Sequence, residues 1–169
     1  MDISSIQTPS YGGSKFWTLL VDEATCRVWS IFLKAKSDIK DHVIPWIRVI
    51  KKDHGVDVKV LRCDNAGENK SLETSIQAIS DLATKFEYTA PDTPEQNGVV
   101  ERKSKTLYAK VRSALNGARL PKDIRNGLWA HCAETMTKLE NLLVDQGGDK
   151  CPYEKFDGAL PKFSKFLRT

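Results

Sequence analysis

The chain is poor in the residues that build zinc sites. Its four cysteines, Cys26, Cys63, Cys132 and Cys151, lie far apart with no C-x-x-C pair, and His42, His54 and His131 supply no H-x₃-H partner. A zinc finger or knuckle is thereby excluded. His131 and Cys132 are adjacent, but two ligands do not make a site, and a packed helix accounts for them. Scattered cysteines also argue against a disulfide framework, so free thiols in a reducing compartment are expected. No run of 18 apolar residues exists, so no helix crossing a membrane is expected. Met1-Asp2-Ile3-Ser4 has neither the charged region nor the apolar core of a secretory signal. An acidic residue directly after Met1, followed at once by strand-like sequence, reads as a domain cut from a longer chain. No internal repeat or low-complexity segment appears.

What is present suits one ordinary globular domain. The chain has 169 residues, 40% apolar and 28% charged, enough to bury a core without staples and too apolar for disorder. Lys and Arg total 26 against 22 Asp and Glu, a formal charge of +4. That balance permits nucleic-acid binding without demanding it.

Residue patterning predicts a mixed α/β order. Strands are expected over 2–7, 15–22 and 26–33, the last two forming an antiparallel hairpin because their connection is short. A helix from Ser37-Asp38 to His54-Gly55 carries Ile39, Val43, Ile44, Ile47 and Ile50 at helical spacing, with Pro45 expected to kink it. A short strand over 56–63, a helix over 71–83 and a strand over 85–89 follow. After a Pro-bounded loop over 90–98, a long helix over 99–116 presents Val100, Leu107, Val111, Ala114 and Leu115 as its apolar stripe. One further helix is expected over 121–144, then a short irregular tail. Helices around a mixed sheet in this order are compatible with an RNase H-like fold.

Three carboxylates fall at suggestive places. Asp2 lies in the first strand, Asp64 at the end of the strand over 56–63, and Glu101 in the first turns of the long helix, with 61 and 36 residues intervening. Adjacent strands would bring Asp2 and Asp64 together, and the helix would deliver Glu101. Such a group repels itself unless cations sit within it, and Mg²⁺ suits oxygen ligands that include substrate phosphate. Two ions ~4 Å apart clamp an in-line phosphoryl displacement. The same residues also suit a bland reading, since Asp64-Asn65-Ala66-Gly67 is good turn sequence.

The long helix adds a charge signal. Arg102, Lys103, Lys105, Lys110 and Arg112 stand against Glu95 and Glu101, a net +3. Glu101, Lys105, Tyr108 and Arg112 share one face, as suits a helix lying along a phosphate backbone. A solvated amphipathic helix would look the same.

At these residues the chain resembles the catalytic core of copia-type LTR-retrotransposon integrases, in the retroviral integrase superfamily with its D,D,E triad. Asp2-Ile3-Ser4-Ser5-Ile6 with Gly12-Gly13-Ser14-Lys15-Phe16-Trp17 is similar to the opening strand and hairpin. Leu61-Arg62-Cys63-Asp64-Asn65-Ala66-Gly67-Glu68 is similar to the second-Asp motif. Thr89-Ala90-Pro91-Asp92-Thr93-Pro94-Glu95-Gln96-Asn97-Gly98-Val99-Val100-Glu101-Arg102-Lys103 carries the most specific signature. Cys151-Pro152-Tyr153-Glu154 with Gly158 and Pro161 resembles the segment after the core. After Glu-Arg-Lys the family usually has Asn-Arg, where this chain has Ser104-Lys105. The family's zinc-binding N-terminal module and C-terminal domain have no counterpart in these residues.

The resemblance implies an RNase H-like α/β fold, a mixed five-stranded sheet flanked by helices, with the catalytic core over 1–146 and a post-core segment over 147–169. It implies that Asp2, Asp64 and Glu101 are catalytic and hold two Mg²⁺ or Mn²⁺ ions. Asn97 and Gly98 are then expected in an active-site loop, and Arg102, Lys103, Lys105 and Arg112 against DNA. The implied reactions are 3′-end processing and strand transfer, and the implied partner is double-stranded DNA, as element ends and target. A homodimer or higher oligomer is expected through the helices at about 38–53 and 121–144, where Trp46 and Trp129 are candidate contacts. Nucleus and cytoplasm are the expected location, with no membrane partner. Two other readings remain open: a catalytically inactive or domesticated DNA-binding or dimerisation module, and an RNase H-like nuclease acting on hybrids.

Overall fold

The computed structural model describes residues 1–89, 94–144 and 148–160, with backbone alone for 94–96. Three antiparallel strands come first: β1 (Asp2–Ser5), β2 (Phe16–Val21) and β3 (Val28–Leu33), in that order across the sheet. The β2–β3 turn closes because the Asp22 carboxylate accepts from the Thr25 amide at 2.9 Å and its hydroxyl at 2.6 Å. Cys26 takes a left-handed φ of 61° there.

A 3-10 turn over Lys36–Asp38 leads into α1 (Ile39–His54), whose buried stripe is Ile39, Val43, Ile47 and Ile50. Pro45 is accommodated on the exposed side, and Gly55 ends the helix with a left-handed φ of 65°, where a side chain would strain the backbone. Next come β4 (Val60–Cys63), α2 (Gly67–Gln77) and β5 (Lys85–Tyr88), with β4 and β5 paired in parallel. The chain ends with α3 (Pro94–Gly117), α4 (Lys122–Gly127), α5 (Trp129–Leu142) and α6 (Pro152–Asp157).

Alternation along β2 builds the layers. Leu20 faces a core completed by Leu33, Val43, Ile47, Leu61, Leu72 and Ile76, under α1 and α2. Trp17 and Leu19 face the opposite core, with Val28, Val100, Leu107, Val111, Trp129 and Ala133, under α3 and α5. The strands therefore lie between two helical layers, as period-two patterning on a twice-covered strand requires.

Several expectations are corrected. The five strands form two sheets, three-stranded and two-stranded, rather than one. A hydrogen bond from the Met1 amine to the Arg62 carbonyl, at 2.6 Å, links the start of β1 to β4. The fourth strand is only four residues long, and α2 starts at Gly67, earlier than the periodicity of 71–83 suggested. The helix expected over 121–144 is broken at Leu128 into α4 and α5. Gly127 sits at the break because the Tyr11 ring occupies the space a Cβ would need, 2.8 Å away. The segment read as an irregular tail forms α6, docked on the body: Arg27 pairs with Asp157 and lies over the Tyr153 ring at 4.2 Å, while His54 meets Asp157 at 2.9 Å. Pro161 lies outside the described residues. Trp129 is 5% exposed, packed on Trp17 and Phe32 with its indole N–H donating to the Thr8 carbonyl, so its surface is spent inside the monomer. Trp46 is half-buried against Trp29.

Candidate active site

The candidate site gathers where β1, β4 and α3 meet. Asp2 opens β1, opposite Leu19 of β2, and is half-buried. The Ser104 hydroxyl of α3 donates to its carboxylate across 3.4 Å. Glu101 lies three residues earlier on α3, on the same face and about 4.5 Å along the axis. The stripe Val100, Leu107 and Val111 presses α3 onto the sheet, and that packing sets the 101–104–108 face along β1. Tyr108 packs against Trp17, the ring centroids 4.7 Å apart and the planes inclined at 49°. Burial pushes its phenol pKa up; Ser4 opposes the shift and the Asp2 charge adds to it.

Asp64 stands exposed just past the end of β4. The Met1 amine, one residue before Asp2, donates to the carbonyl of Arg62, two residues before Asp64. The Asn69 amide of α2 donates to the Asp64 carboxylate at 2.5 Å and to its carbonyl at 3.1 Å. Beneath, the Cys63 thiol is pushed up to about 11 by burial, the N-terminal ammonium opposing and the Asp64 charge adding. The donor set of Asp2, Asp64 and Glu101 is carboxylate oxygen throughout, which fits a hard cation such as Mg²⁺ or Mn²⁺. Among the described residues, however, no group of three or more His, Cys, Asp and Glu side chains is arranged to hold a metal ion.

The residues expected against DNA divide. Arg102, Lys105 and Arg112 are exposed along α3. Lys103 is not with them: its ammonium lies 2.7 Å from Glu140 of α5, with 15% of its side chain exposed, so its charge is committed to an internal pair. Asn97 and Gly98, expected in a loop, belong to the first turns of α3. Gly98 lies under the Arg102 guanidinium, 3.0 Å from where a Cβ would stand. Asn97 lines a groove of about 390 Å³ that also touches Leu20 and Val21 of β2 and Val60 and Leu61 of β4. The loop residues 90–93 lie outside the described residues.

Sequence reasoning missed Asn69. The available signal was a polar residue on a buried helical stripe: Asn69, Leu72 and Ile76 follow i, i+3, i+7, and all three are buried.

Comparison with solved structures defines the class. The chain superposes with a TM-score of 0.61 on the HTLV-2 integrase catalytic core domain in complex with magnesium (trimeric form), at 14% identity over 92% of this chain and 93% of that one. It superposes at 0.64 on a chain of the simian T-cell lymphotropic virus intasome in complex with the PP2A regulatory subunit B56 gamma, again at 14% identity, over 95% of this chain and 54% of that one. The fold is therefore the RNase H-like α/β fold of retroviral integrase catalytic cores. In sequence, the chain is 33% identical over 136 residues to the retrovirus-related Pol polyprotein from transposon TNT 1-94 of Nicotiana tabacum, covering 80% of this chain. It is 26% and 25% identical to those from transposons RE1 and RE2 of Arabidopsis thaliana, over 97% of this chain in each case. The chain is thus similar in sequence to a part of the retrovirus-related Pol polyproteins of these plant transposons. It spans about a tenth of the length of these relatives. No family model matches.

Proposed function

We propose that the chain is the catalytic core of a retrotransposon integrase, acting in metal-dependent polynucleotidyl transfer: 3′-end processing with water, and strand transfer with the element's own 3′-hydroxyl. The observation that carries this reading is the meeting of β1, β4 and α3 through the Met1–Arg62 and Ser104–Asp2 bonds. Asp2, Asp64 and Glu101 would hold two Mg²⁺ or Mn²⁺ ions, which when bound stabilise the attacking and leaving oxygens. Ser104 restrains the Asp2 carboxylate, and Arg102, Lys105 and Arg112 offer exposed positive charge to the DNA backbone. The magnesium complex of the HTLV-2 integrase core supports a divalent ion. Double-stranded DNA and further copies of the chain are the proposed partners, supported by the intasome and trimeric neighbours. The core would span 1–146 with 147–169 after it, and the protein would work in nucleus and cytoplasm.

A second reading has its own observation. With no three-group metal cluster among the described residues, a DNA-binding or dimerising module without turnover fits the same fold.

A disintegration assay on the 169-residue chain separates them. Mn²⁺-dependent rejoining of a branched DNA substrate, lost in Asp64→Asn and Glu101→Gln, is the expected result. No product from the unmodified chain, or product that survives both substitutions, would overturn the catalytic reading.

A further inference from the structure

We propose that Asn69 is a positioning residue for Asp64: its side-chain amide holds that carboxylate, at the end of β4, in the orientation in which it would take a divalent cation. The inference deepens the metal-dependent reading above and rests on it for its purpose, though not for the contact itself.

The position of Asn69 is unusual for its chemistry. It is the third residue of α2, 2% exposed, on the same stripe as Leu72 and Ile76, which are fully buried. An amide on such a stripe is costly unless its polar atoms find partners. The Nδ2 group finds two, both on Asp64: the carboxylate at 2.5 Å and the main-chain carbonyl at 3.1 Å. The Oδ1 atom finds none, although it is buried. Turning the amide over would set Oδ1 against two acceptor oxygens of Asp64, so that pair fixes which end faces it. A leucine could fill the stripe without an orphaned acceptor. What the asparagine adds is directed at Asp64.

A neutral donor is also the suitable kind. A lysine or arginine here would neutralise the carboxylate and compete with a cation for it. An amide fixes the rotamer and leaves the negative charge in place, as the groups behind metal-bound carboxylates commonly do. The carbonyl bond adds backbone restraint, so the side chain is held at its root and its tip.

The test compares the unmodified chain with Asn69→Leu and Asn69→Ser. NMR three-bond couplings between Hα and Hβ of Asp64 report its rotamer without any metal. They are expected to show one rotamer in the parent and averaging in Asn69→Leu, with Asn69→Ser intermediate because its hydroxyl can still donate. Mn²⁺ calorimetry on the same proteins should show affinity weakened about tenfold or more in Asn69→Leu. Its thermal midpoint should stay within ~4 °C of the parent, because a lost tether is exchanged for a lost orphan acceptor. If Asn69→Leu fails to fold, Asn69→Ser carries both readouts. Unchanged Asp64 couplings would overturn the proposal, and so would averaged couplings with unchanged Mn²⁺ affinity. A parent chain that binds no Mn²⁺ would instead overturn the metal-dependent reading and the purpose given to the contact, while the couplings still decide whether Asn69 holds Asp64.

Discussion

The Lys103 ammonium and the Glu140 carboxylate meet at 2.7 Å across the contact between α3 and α5. Lys110 reaches the other oxygen of the same carboxylate, so one acid joins two turns of α3 to α5. Only 6% of the Glu140 side chain is exposed, which makes its two cations obligatory partners. Glu140→Gln should therefore destabilise the chain by about 3 kcal/mol, as expected when one member of a buried pair is removed. Chemical denaturation would show this as a lower midpoint at unchanged slope.

The same pair sets an acid limit on stability. Burial works to raise the Glu140 pKa, but the hydrogen bonds from Lys103 and Lys110 prevail and hold it below the usual value. A carboxylate depressed in the folded state stabilises fully above its unfolded pKa of ~4.3, and that contribution disappears as pH falls through the folded value. Thermal midpoints should be flat from pH 7 to about pH 5 and drop below pH 4. The drop should be shallower in Glu140→Gln, measured by circular dichroism.

Binding to DNA should follow exposure along α3 rather than its total charge. Lys105→Ala and Arg112→Ala should each weaken binding to nonspecific duplex and lower the salt slope by about 1, since both residues are exposed. Lys103→Ala should leave that slope nearly unchanged and lower the unfolding midpoint instead. Fluorescence anisotropy across a salt series distinguishes the two kinds of residue.

Docking of α6 depends on Arg27. Its guanidinium pairs with Asp157 and lies over Tyr153 at 4.2 Å, over Phe156 at 5.6 Å and over Trp29 at 5.7 Å. Arg27→Ala should raise hydrogen exchange across residues 152–157 by on the order of tenfold or more, because losing both the pair and the stacking exceeds about 1.4 kcal/mol. Arg27→Lys should fall between, keeping the charge without the planar fork. Exchange in β2, far from α6 in the chain, should hold steady.

Self-association should not pass through Trp129. Its ring is enclosed by Trp17 and Phe32, so Trp129→Ala should lower stability by about 3–5 kcal/mol. Trp46→Ala, at a half-buried position, should cost less. Sedimentation at tens of micromolar should show an association that Trp129→Ala alters only through stability.

The sequence by itself determined what neighbouring residues decide. The stripe of Val100, Leu107 and Val111 made α3 a sheet-facing helix, and the run from Phe16 to Leu33 made a hairpin, because a period of 3.6 or 2 is written within a few residues. The motifs around Asp2, Asp64 and Glu101 placed those residues on β1, just past β4 and on α3, but among the described residues no three-carboxylate cluster is arranged to hold a metal ion. The tertiary structure alone decided which polar groups face each other. Lys103 and Lys105 read alike in the sequence, yet one meets Glu140, 37 residues away, and the other meets solvent. The helix rotation that core packing imposes on α3 makes that choice. The split into two sheets, the docking of α6 through Arg27 and Asp157, and the grip of Asn69 on Asp64 are of the same kind. Each depends on distances and orientations between separate elements, which the burial of two apolar cores fixes and no local period encodes.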